Sequence, residues 1–199
     1  MRLAILLSGR GSNFLAIHEA IAAEPLDASI VAVISNRPEA AGLAAARKLG
    51  YEAHEIDHRQ FENRRAHEDA VLRVLDEAKP DYICLAGYMR LLSPSFIAAY
   101  PNRTLNIHPS LLPSFPGVDA QAQAIAHGVK ISGCTVHFVD EGLDAGPIVV
   151  QRAVDVLDGD TAETLTARIL VEEHRAYVEA LRKLRPGTHR IEGRRVIFL

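Results

Sequence analysis

The stretch that decides the fold of this chain is Arg103-Thr104-Leu105-Asn106-Ile107-His108-Pro109. Its aliphatic and polar residues alternate, and alternate side chains of a β-strand point to the same face. Asn106 and His108 therefore share one face, while the two aliphatic side chains share the other. Pro109 lacks the N–H that a strand ladder needs, so it ends the strand. Polar side chains at the carboxyl end of a strand are typical of the active-site edge of an open α/β sheet.

Asn106 and His108 are also suited to catalysis by their chemistry. Imidazole changes charge near neutral pH, so His108 can transfer a proton under working conditions. The Asn106 amide is a neutral donor for an oxygen that becomes negative in a transition state. Ser110 lies in a proline-bounded turn rather than clearly beside His108, which favours direct transfer over a covalent enzyme intermediate. The alternative is structural: Asn106 caps a turn and His108 is a hydrogen-bonded strand end.

The segments around this strand predict an α/β protein, because strand and helix patterns alternate through the first half of the chain. Strands are predicted at 3–7, 29–34, 52–56 and 82–86, and helices at 14–23, 38–49, 60–78 and 94–100. Later elements are strands at 130–139 and 148–156, helices at 120–127 and 161–184, and a hairpin at 190–198. The two later strands are joined by a loop too short for a helical crossover, so they should be antiparallel. The predicted fold is a Rossmann-like, mostly parallel twisted sheet flanked by helices, with antiparallel strands in the C-terminal half.

The composition is ordinary for a soluble globular enzyme. The 199 residues suffice for one domain with a real core, and 48% are hydrophobic and 24% charged. A formal net charge of -3 gives no electrostatic reason to expect a nucleic acid or membrane partner. The apolar N-terminus resembles the start of a signal peptide but stops at Ser8-Gly9, which favours a first strand. Cys84 and Cys134 lie in apolar strand-like runs, so we expect reduced thiols in a cytoplasmic protein and no metal site. Monomer and homodimer both remain open.

A glycine loop between the first strand and the first helix predicts an anion site. In Ser8-Gly9-Arg10-Gly11-Ser12-Asn13, backbone N–H groups can point at an anion beside a helix N-terminus. The dinucleotide fingerprint needs a third glycine where Phe14 stands, and no acidic residue follows the second strand to hold a ribose. The lysine of a Walker loop is also absent. The loop therefore favours a phosphomonoester over NAD or ATP, and the alternative is an ordinary strand–helix turn.

Two other segments are candidate parts of a site. Met89–Leu92 follows a buried strand, and an apolar loop at that position can accept a flat aromatic ligand, although such residues are more often core. Asp144 is the natural partner of His108, because a carboxylate beside an imidazole favours the protonated ring and fixes its tautomer. Asp140 and Glu141 compete for that role, and a glycine-flanked Asp is usually a turn former.

With these residues in view, the chain resembles the phosphoribosylglycinamide formyltransferases, folate-dependent enzymes of purine synthesis. The motifs that carry the resemblance are L-L-S-G-R-G-S-N at 6–13, A-G-Y-M-R-L-L at 86–92, N-I-H-P-S-L-L-P at 106–113, G-C-T-V-H-F-V at 133–139 and D-E-G-L-D-A-G-P at 140–147. S-L-L-P and the Asn/His/Asp set are shared by other formyltetrahydrofolate enzymes, whereas the S-G-x-G-S-N loop is more specific. A deformylase would carry an additional N-terminal domain, and a methionyl-tRNA formyltransferase would carry a C-terminal RNA-binding domain. Because the motifs found here fit a single domain, we expect neither of these two enzymes.

The resemblance implies one formyltransferase domain over residues 1–199, with a phosphate-binding half at 1–100 and a catalytic and folate-binding half at 101–199. The implied reaction moves the formyl group of 10-formyltetrahydrofolate to the amine of 5-phosphoribosylglycinamide, by direct attack through a tetrahedral intermediate and without a metal. Asn106, His108 and Asp144 would be catalytic. The other implied contacts are with the substrate phosphate (Gly11, Ser12, Asn13), the glycinamide (Glu173) and the folate (Arg64, Met89, Arg90, Leu91, Leu92, Asn106, Val139, Asp140, Glu141, Asp144).

The chain departs from this family at two places. Leu170 stands where some members carry a polar substrate contact, and Val118-Asp119-Ala120-Gln121 stands where others carry histidines. Two rival functions are a hydrolase that deformylates the same folate and a non-catalytic folate or nucleotide sensor. The phosphate loop argues against the hydrolase, which would use water, and the complete Asn/His/Asp set argues against the sensor.

Overall fold

The computed structural model describes residues 1–23, 26–185 and 187–199. The chain divides into two compact units, Met1–Leu105 and Asn106–Leu199, so the division falls inside the strand that carries Asn106 and His108. That strand contributes its first residues to one unit and its last residues to the other.

The first unit contains a parallel sheet with helices between its strands. Its strands are β1 (Arg2–Leu7), β2 (Ser29–Ser35), β3 (Ala53–Glu55), β4 (Tyr82–Leu85) and the start of β5 (Thr104–His108). Its helices are α1 (Ser12–Ala23), α2 (Ala41–Lys48), α3 (Arg64–Ala78) and α4 (Pro94–Ala99). Strand β1 pairs in parallel with β2 and β4, and β2 pairs in parallel with β3, which gives the order β3-β2-β1-β4. The predicted alternation of strand and helix is confirmed.

The apolar run at the N-terminus forms a central strand, as predicted. Residues Leu3 to Leu7 are all fully buried. A strand that is apolar on both faces is typical of a parallel sheet covered by helices on both sides. The carboxyl end of β1 therefore leads directly into the glycine loop and the N-terminus of α1.

Two helices begin later than the sequence predicted. Helix α2 begins at Ala41 rather than at residue 38, after a turn in which Ala40 donates to the carbonyl of Arg37 at 3.3 Å. Helix α3 begins at Arg64 rather than at residue 60, because the Asn63 side chain accepts from the backbone N–H of residue 66 at 3.0 Å. An N-cap of this kind satisfies an N–H of the first turn that has no partner within the helix.

The second unit contains the antiparallel strands that the short connection predicted. Strands β6 (Ile131–Phe138) and β7 (Ile148–Asp155) are antiparallel, and β8 (His189–Glu192) and β9 (Arg195–Phe198) form the terminal hairpin, with β9 parallel to β7. Its helices are α5 (Ala120–Ala126) and α6 (Ala162–Lys183), and α6 packs on β6 and β7. Helix α6 begins with a capping box between Thr161 and Thr164. The predicted fold class is confirmed.

The two buried cysteines and the composition of the helices bear on what the described residues can do. Cys84 in β4 and Cys134 in β6 are both buried thiols, and burial raises the pKa of Cys134 to about 12. A thiol with so high a pKa is a poor nucleophile at neutral pH. None of the helices within the described ranges combines the length and apolar composition that a membrane span requires.

Candidate active site

The carboxyl end of β5 presents Asn106 and His108 on one face of the strand. The Ile107 side chain between them is buried on the other face, at 8% exposure. His108 is itself 4% exposed, although it is polar. A buried polar side chain must find hydrogen-bonding partners, so the surroundings of this ring decide what it can do.

Asp144 lies beside the His108 ring. Its Oδ2 atom is 3.3 Å from Nδ1 of His108, and the two side chains are 12% and 5% exposed. The same oxygen accepts the backbone N–H of Gly117 at 2.8 Å, and Asp144 has a left-handed backbone with φ of 48°, which Asp tolerates better than most residues. Asp140 instead accepts from Gly142 N–H at 2.9 Å and forms a turn. The carboxylate that faces the imidazole is therefore that of Asp144.

Both nitrogens of the His108 ring face oxygen atoms. Nδ1 faces Asp144, and Nε2 lies 2.8 Å from the carbonyl oxygen of Phe115. A neutral imidazole has one N–H and one lone pair, so only the doubly protonated ring can donate to both oxygens. Phe115 has φ of 53°, and a bulky residue in this region costs on the order of 1–3 kcal/mol. Strained backbone thus places a carbonyl against a ring that is arranged as a proton donor.

His137 is a member of this group that the sequence analysis missed. It lies on β6, and its Nε2 atom is 3.3 Å from the Asn106 amide nitrogen and 3.7 Å from Asp144 Oδ1. Burial lowers the pKa of His137, against the opposing effects of its bond to the Phe138 carbonyl and of Asp144. Because Nδ1 faces that carbonyl at 2.9 Å, the neutral ring carries its proton on Nδ1 and accepts from Asn106 at Nε2.

This contact fixes the orientation of the Asn106 amide. Its nitrogen is the atom that faces His137, and an amide nitrogen carries two N–H groups. One is used by His137, and the second points elsewhere and can donate to a substrate oxygen. The signal in the sequence was a single histidine within the mostly apolar strand segment Cys134-Thr135-Val136-His137-Phe138.

Thr135 holds the turn that follows β5. Its Oγ1 atom donates to the Ser110 carbonyl at 2.7 Å and accepts the Leu112 N–H at 3.0 Å. Gln151 on β7 donates to the Leu112 carbonyl at 2.8 Å. The Ser110 hydroxyl donates to the carbonyl of Ser114, so it serves the turn rather than a reaction. The S-L-L-P motif is therefore a structural support of the end of β5.

The first unit contains the predicted phosphate loop. Gly11 has φ of 75°, and Ser12 and Asn13 are the first residues of α1. A Cβ atom built on Gly42 would lie 2.8 Å from Gly11 Cα, so glycine is required at this contact between the loop and α2. Phe14, at the position of the missing fingerprint glycine, is fully buried. The loop presents the N-terminus of a helix, which is an anion-binding position.

The segment 89–92, also in the first unit, displays apolar side chains to solvent. Met89 and Leu91 are each 69% exposed, which contradicts the alternative that they are core. The segment is nevertheless held in place: Met89 N–H donates to Ser8 Oγ at 2.8 Å, and Ser8 donates to Asn36 Oδ1 at 2.5 Å. Exposed apolar residues on a well-anchored segment are typical of a ligand-binding surface.

The remaining candidate binding residues differ in how exposed they are. Arg64 begins α3, and its side chain is 43% exposed. Asp119 precedes α5 with φ of 55° and forms no side-chain cap. The partly buried positions are Arg90, Leu92, Val139, Asp140, Leu170 and Glu173, and Glu141 is exposed. Within the described ranges, no group of three or more His, Cys, Asp or Glu is arranged to hold a metal ion.

Comparisons with known proteins extend over both units. The profile of the formyl transferase family matches residues 1–181. The chain is 41% identical over 177 residues to the phosphoribosylglycinamide formyltransferase of Escherichia coli (strain K12), which covers 89% of this chain and 84% of that protein. It is 48% identical over 191 residues, 95% of the chain, to the trifunctional purine biosynthetic protein adenosine-3 of Drosophila pseudoobscura pseudoobscura, of which it spans 14%. The solved structure of glycinamide ribonucleotide transformylase 1 from Symbiobacterium toebii matches with a TM-score of 0.97 and 49% identity, over 100% of this chain and 94% of that one.

Proposed function

Because the chain belongs to the formyl transferase family, we propose that it transfers the formyl group of 10-formyltetrahydrofolate to the amine of 5-phosphoribosylglycinamide. The observation that carries this proposal is the group formed in the second unit by the buried His108 and the partly buried Asn106 and Asp144. The relatives named above for this activity and for purine biosynthesis support it. The enzyme would serve de novo purine biosynthesis in the cytoplasm, with small molecules as its substrates.

The parts of the chain would divide the two substrates between them. Residues 1–199 would act as one formyltransferase domain, in which Gly11, Ser12 and Asn13 bind the 5′-phosphate and Glu173 faces the glycinamide. Segment 89–92 fits a flat aromatic ring, since its exposed side chains are apolar, and the Arg64 guanidinium fits a carboxylate. Val139 to Asp144 would complete the folate contacts.

The first step is attack by the free amine on the formyl carbon, which converts its carbonyl oxygen into an oxyanion. Asn106 donates its second N–H to this oxygen, and His137 holds the amide in that orientation. The protonated His108 adds a positive charge beside this oxygen, and its Nε2–H would leave the Phe115 carbonyl to donate to it. Donors placed in advance around a developing negative charge are commonly worth about 10²–10³ in rate.

The second step breaks the bond between the formyl carbon and the folate nitrogen. His108 gives the departing nitrogen its Nε2 proton, because Nδ1 is held by Asp144. The attacking nitrogen loses one proton through water, and this proton replaces the one lost from Nε2 of His108 while Asp144 stays on Nδ1–H, so the proton count balances. Protonation of the leaving nitrogen supplies the activation that the leaving group needs.

The test mixes protein, 10-formyltetrahydrofolate and glycinamide ribonucleotide and follows folate release with and without the ribonucleotide. Release that depends on the ribonucleotide supports the transferase. Release independent of the ribonucleotide indicates a hydrolase, and no release in either case indicates a sensor. The kinetics should be sequential, so a stable formyl-enzyme would contradict direct transfer.

Asp144→Asn is expected to lower kcat by at least about 10²-fold while the protein remains folded, since it removes the charge but keeps the shape. Initial rates and thermal unfolding measure the two effects. Asp158→Asn is the matched control, because the Asp158 side chain is 91% exposed. Wild-type rates in Asp144→Asn would show that this carboxylate has only a structural role.

A further inference from the structure

Glu68 is a buried carboxylate that the proposed chemistry leaves unused. It lies on α3 and is only 5% exposed. Its Oε1 atom accepts from Arg64 Nε at 3.0 Å and from the Ser93 backbone N–H at 2.9 Å, and its Oε2 atom accepts the Ser93 hydroxyl. A buried carboxylate is costly unless it is both paired and hydrogen-bonded, and here it is both.

The bonds to Ser93 hold one end of segment 89–92. Ser93 follows this segment directly and caps α4, where its hydroxyl oxygen accepts from the Phe96 N–H at 3.2 Å. The other end of the segment is held by Ser8, which accepts from Met89 N–H. The segment is thus anchored at both ends, and Glu68 supplies the C-terminal anchor.

The bond to Arg64 holds a guanidinium on the same helix. Arg64 and Glu68 are four positions apart and face each other across one helical turn. The bond uses Nε, whereas the two terminal nitrogens form a planar fork that matches a carboxylate. One buried carboxylate therefore fixes both a guanidinium that can bind an anion and an apolar segment that can bind a ring.

We propose that Glu68 is a positioning residue that sets the distance between Arg64 and segment 89–92, and so makes the enzyme selective for folates that carry a glutamate carboxylate. This inference rests on the proposed function, because it requires these two elements to hold the two ends of 10-formyltetrahydrofolate. Without Glu68, Arg64 keeps its charge but loses its fixed rotamer. Ordering that side chain at the moment of binding then weakens the contact.

The experiment compares two formyl donors, 10-formyltetrahydrofolate and 10-formyltetrahydropteroate, which lacks the glutamate. In the wild type, kcat/KM should favour the folate. In Glu68→Gln this preference should fall about tenfold, the size of one hydrogen bond to a charged group. Both donors lose the anchor of segment 89–92, but only the folate also loses the positioned Arg64, so kcat/KM should fall further with the folate. The KM for the ribonucleotide should change by less than about twofold, which shows that the unit remains folded.

Two further variants sharpen the test. Glu77→Gln, at an exposed position of the same helix, should retain the wild-type preference. Glu68→Asp keeps the charge but shortens the side chain, so it should also lower the preference if distance is what matters. It provides the same readout should Glu68→Gln fail to fold.

The outcomes separate this inference from the proposed function. An equal loss with both donors would mean that Glu68 only stabilises the fold, and an unchanged preference would mean that it does not position Arg64. Either result overturns the inference while the transferase stands. A wild-type chain with no ribonucleotide-dependent folate release overturns the proposed function, and the inference with it.

Discussion

Replacing Gly42 by alanine tests whether the close contact between α2 and the glycine loop positions the phosphate site. The new Cβ would lie 2.8 Å from Gly11 Cα, 2.9 Å from Leu7 Cδ2 and 3.2 Å from Gly11 N. Gly42 also donates its N–H to the Gly9 carbonyl at 3.0 Å, so the helix and the loop are joined at this point. The substitution therefore acts on the backbone that would bind phosphate without touching the substrate.

The size of the effect follows from these distances. Favourable carbon–carbon contacts lie at roughly 3.5–4.0 Å, so Gly11 must withdraw by about 0.7 Å. Alanine in place of glycine ordinarily stabilises a helix by about 0.5–1 kcal/mol, whereas overpacking costs about 1–3 kcal/mol. We expect a net loss of about 1 kcal/mol in the free energy of unfolding. Weakening one bond to the charged phosphate should raise the KM for the ribonucleotide about tenfold.

The assay measures initial rates while each substrate is varied at a saturating concentration of the other, together with urea unfolding. The KM for 10-formyltetrahydrofolate should change by less than about threefold, because the loop shift concerns the phosphate. Gly159→Ala is the control, since nothing lies within 4 Å of its added Cβ. It should leave both KM values unchanged and the unfolding free energy within about 0.5 kcal/mol.

A folded Gly42→Ala variant with an unchanged KM for the ribonucleotide would refute this reasoning. If its stability also rose by about 1 kcal/mol, helix propensity alone would explain the substitution. The phosphate site would then lie elsewhere, or it would tolerate movement of Gly11.

Two other predictions concern buried histidines. His137→Phe should lower kcat at least about tenfold with little change in either KM, because Asn106 loses the acceptor that orients its amide. Equal kcat values in the variant and the wild type would show that the amide is held by other contacts. Burial lowers the pKa of His67 and of His137 from the ordinary value of 6.5, so below about pH 6.5 the unfolded chain binds more protons than the folded one. The free energy of unfolding, measured by urea titration, should therefore fall as the pH is lowered from 7.5 to 5.5, and it should fall less steeply in His67→Gln. The same dependence on pH in both proteins would contradict a contribution from His67.

Several features of the fold were predictable because they depend on neighbours in the chain. The alternation over Leu105 to His108 predicted the two faces of β5, and the short connection after β6 predicted an antiparallel partner. Ser93 and Thr161 marked the starts of α4 and α6, since their side chains cap the first turn. The start of α3 was misjudged because Phe61 fits the apolar face of the helical pattern, although it lies before the cap at Asn63.

The tertiary structure alone decided which polar groups meet. The sequence offered Asp140, Glu141 and Asp144 as partners of His108, and it placed no role on His137 or Glu68. These choices depend on strand register, loop dihedral angles and helix placement, which join residues distant in the chain: Asn106 is 31 positions from its partner His137, and Glu68 is 25 positions from Ser93. Periodicity and capping are local properties that a sequence states directly, whereas the pairing of buried polar side chains is set by how separate elements pack, and no local pattern records it.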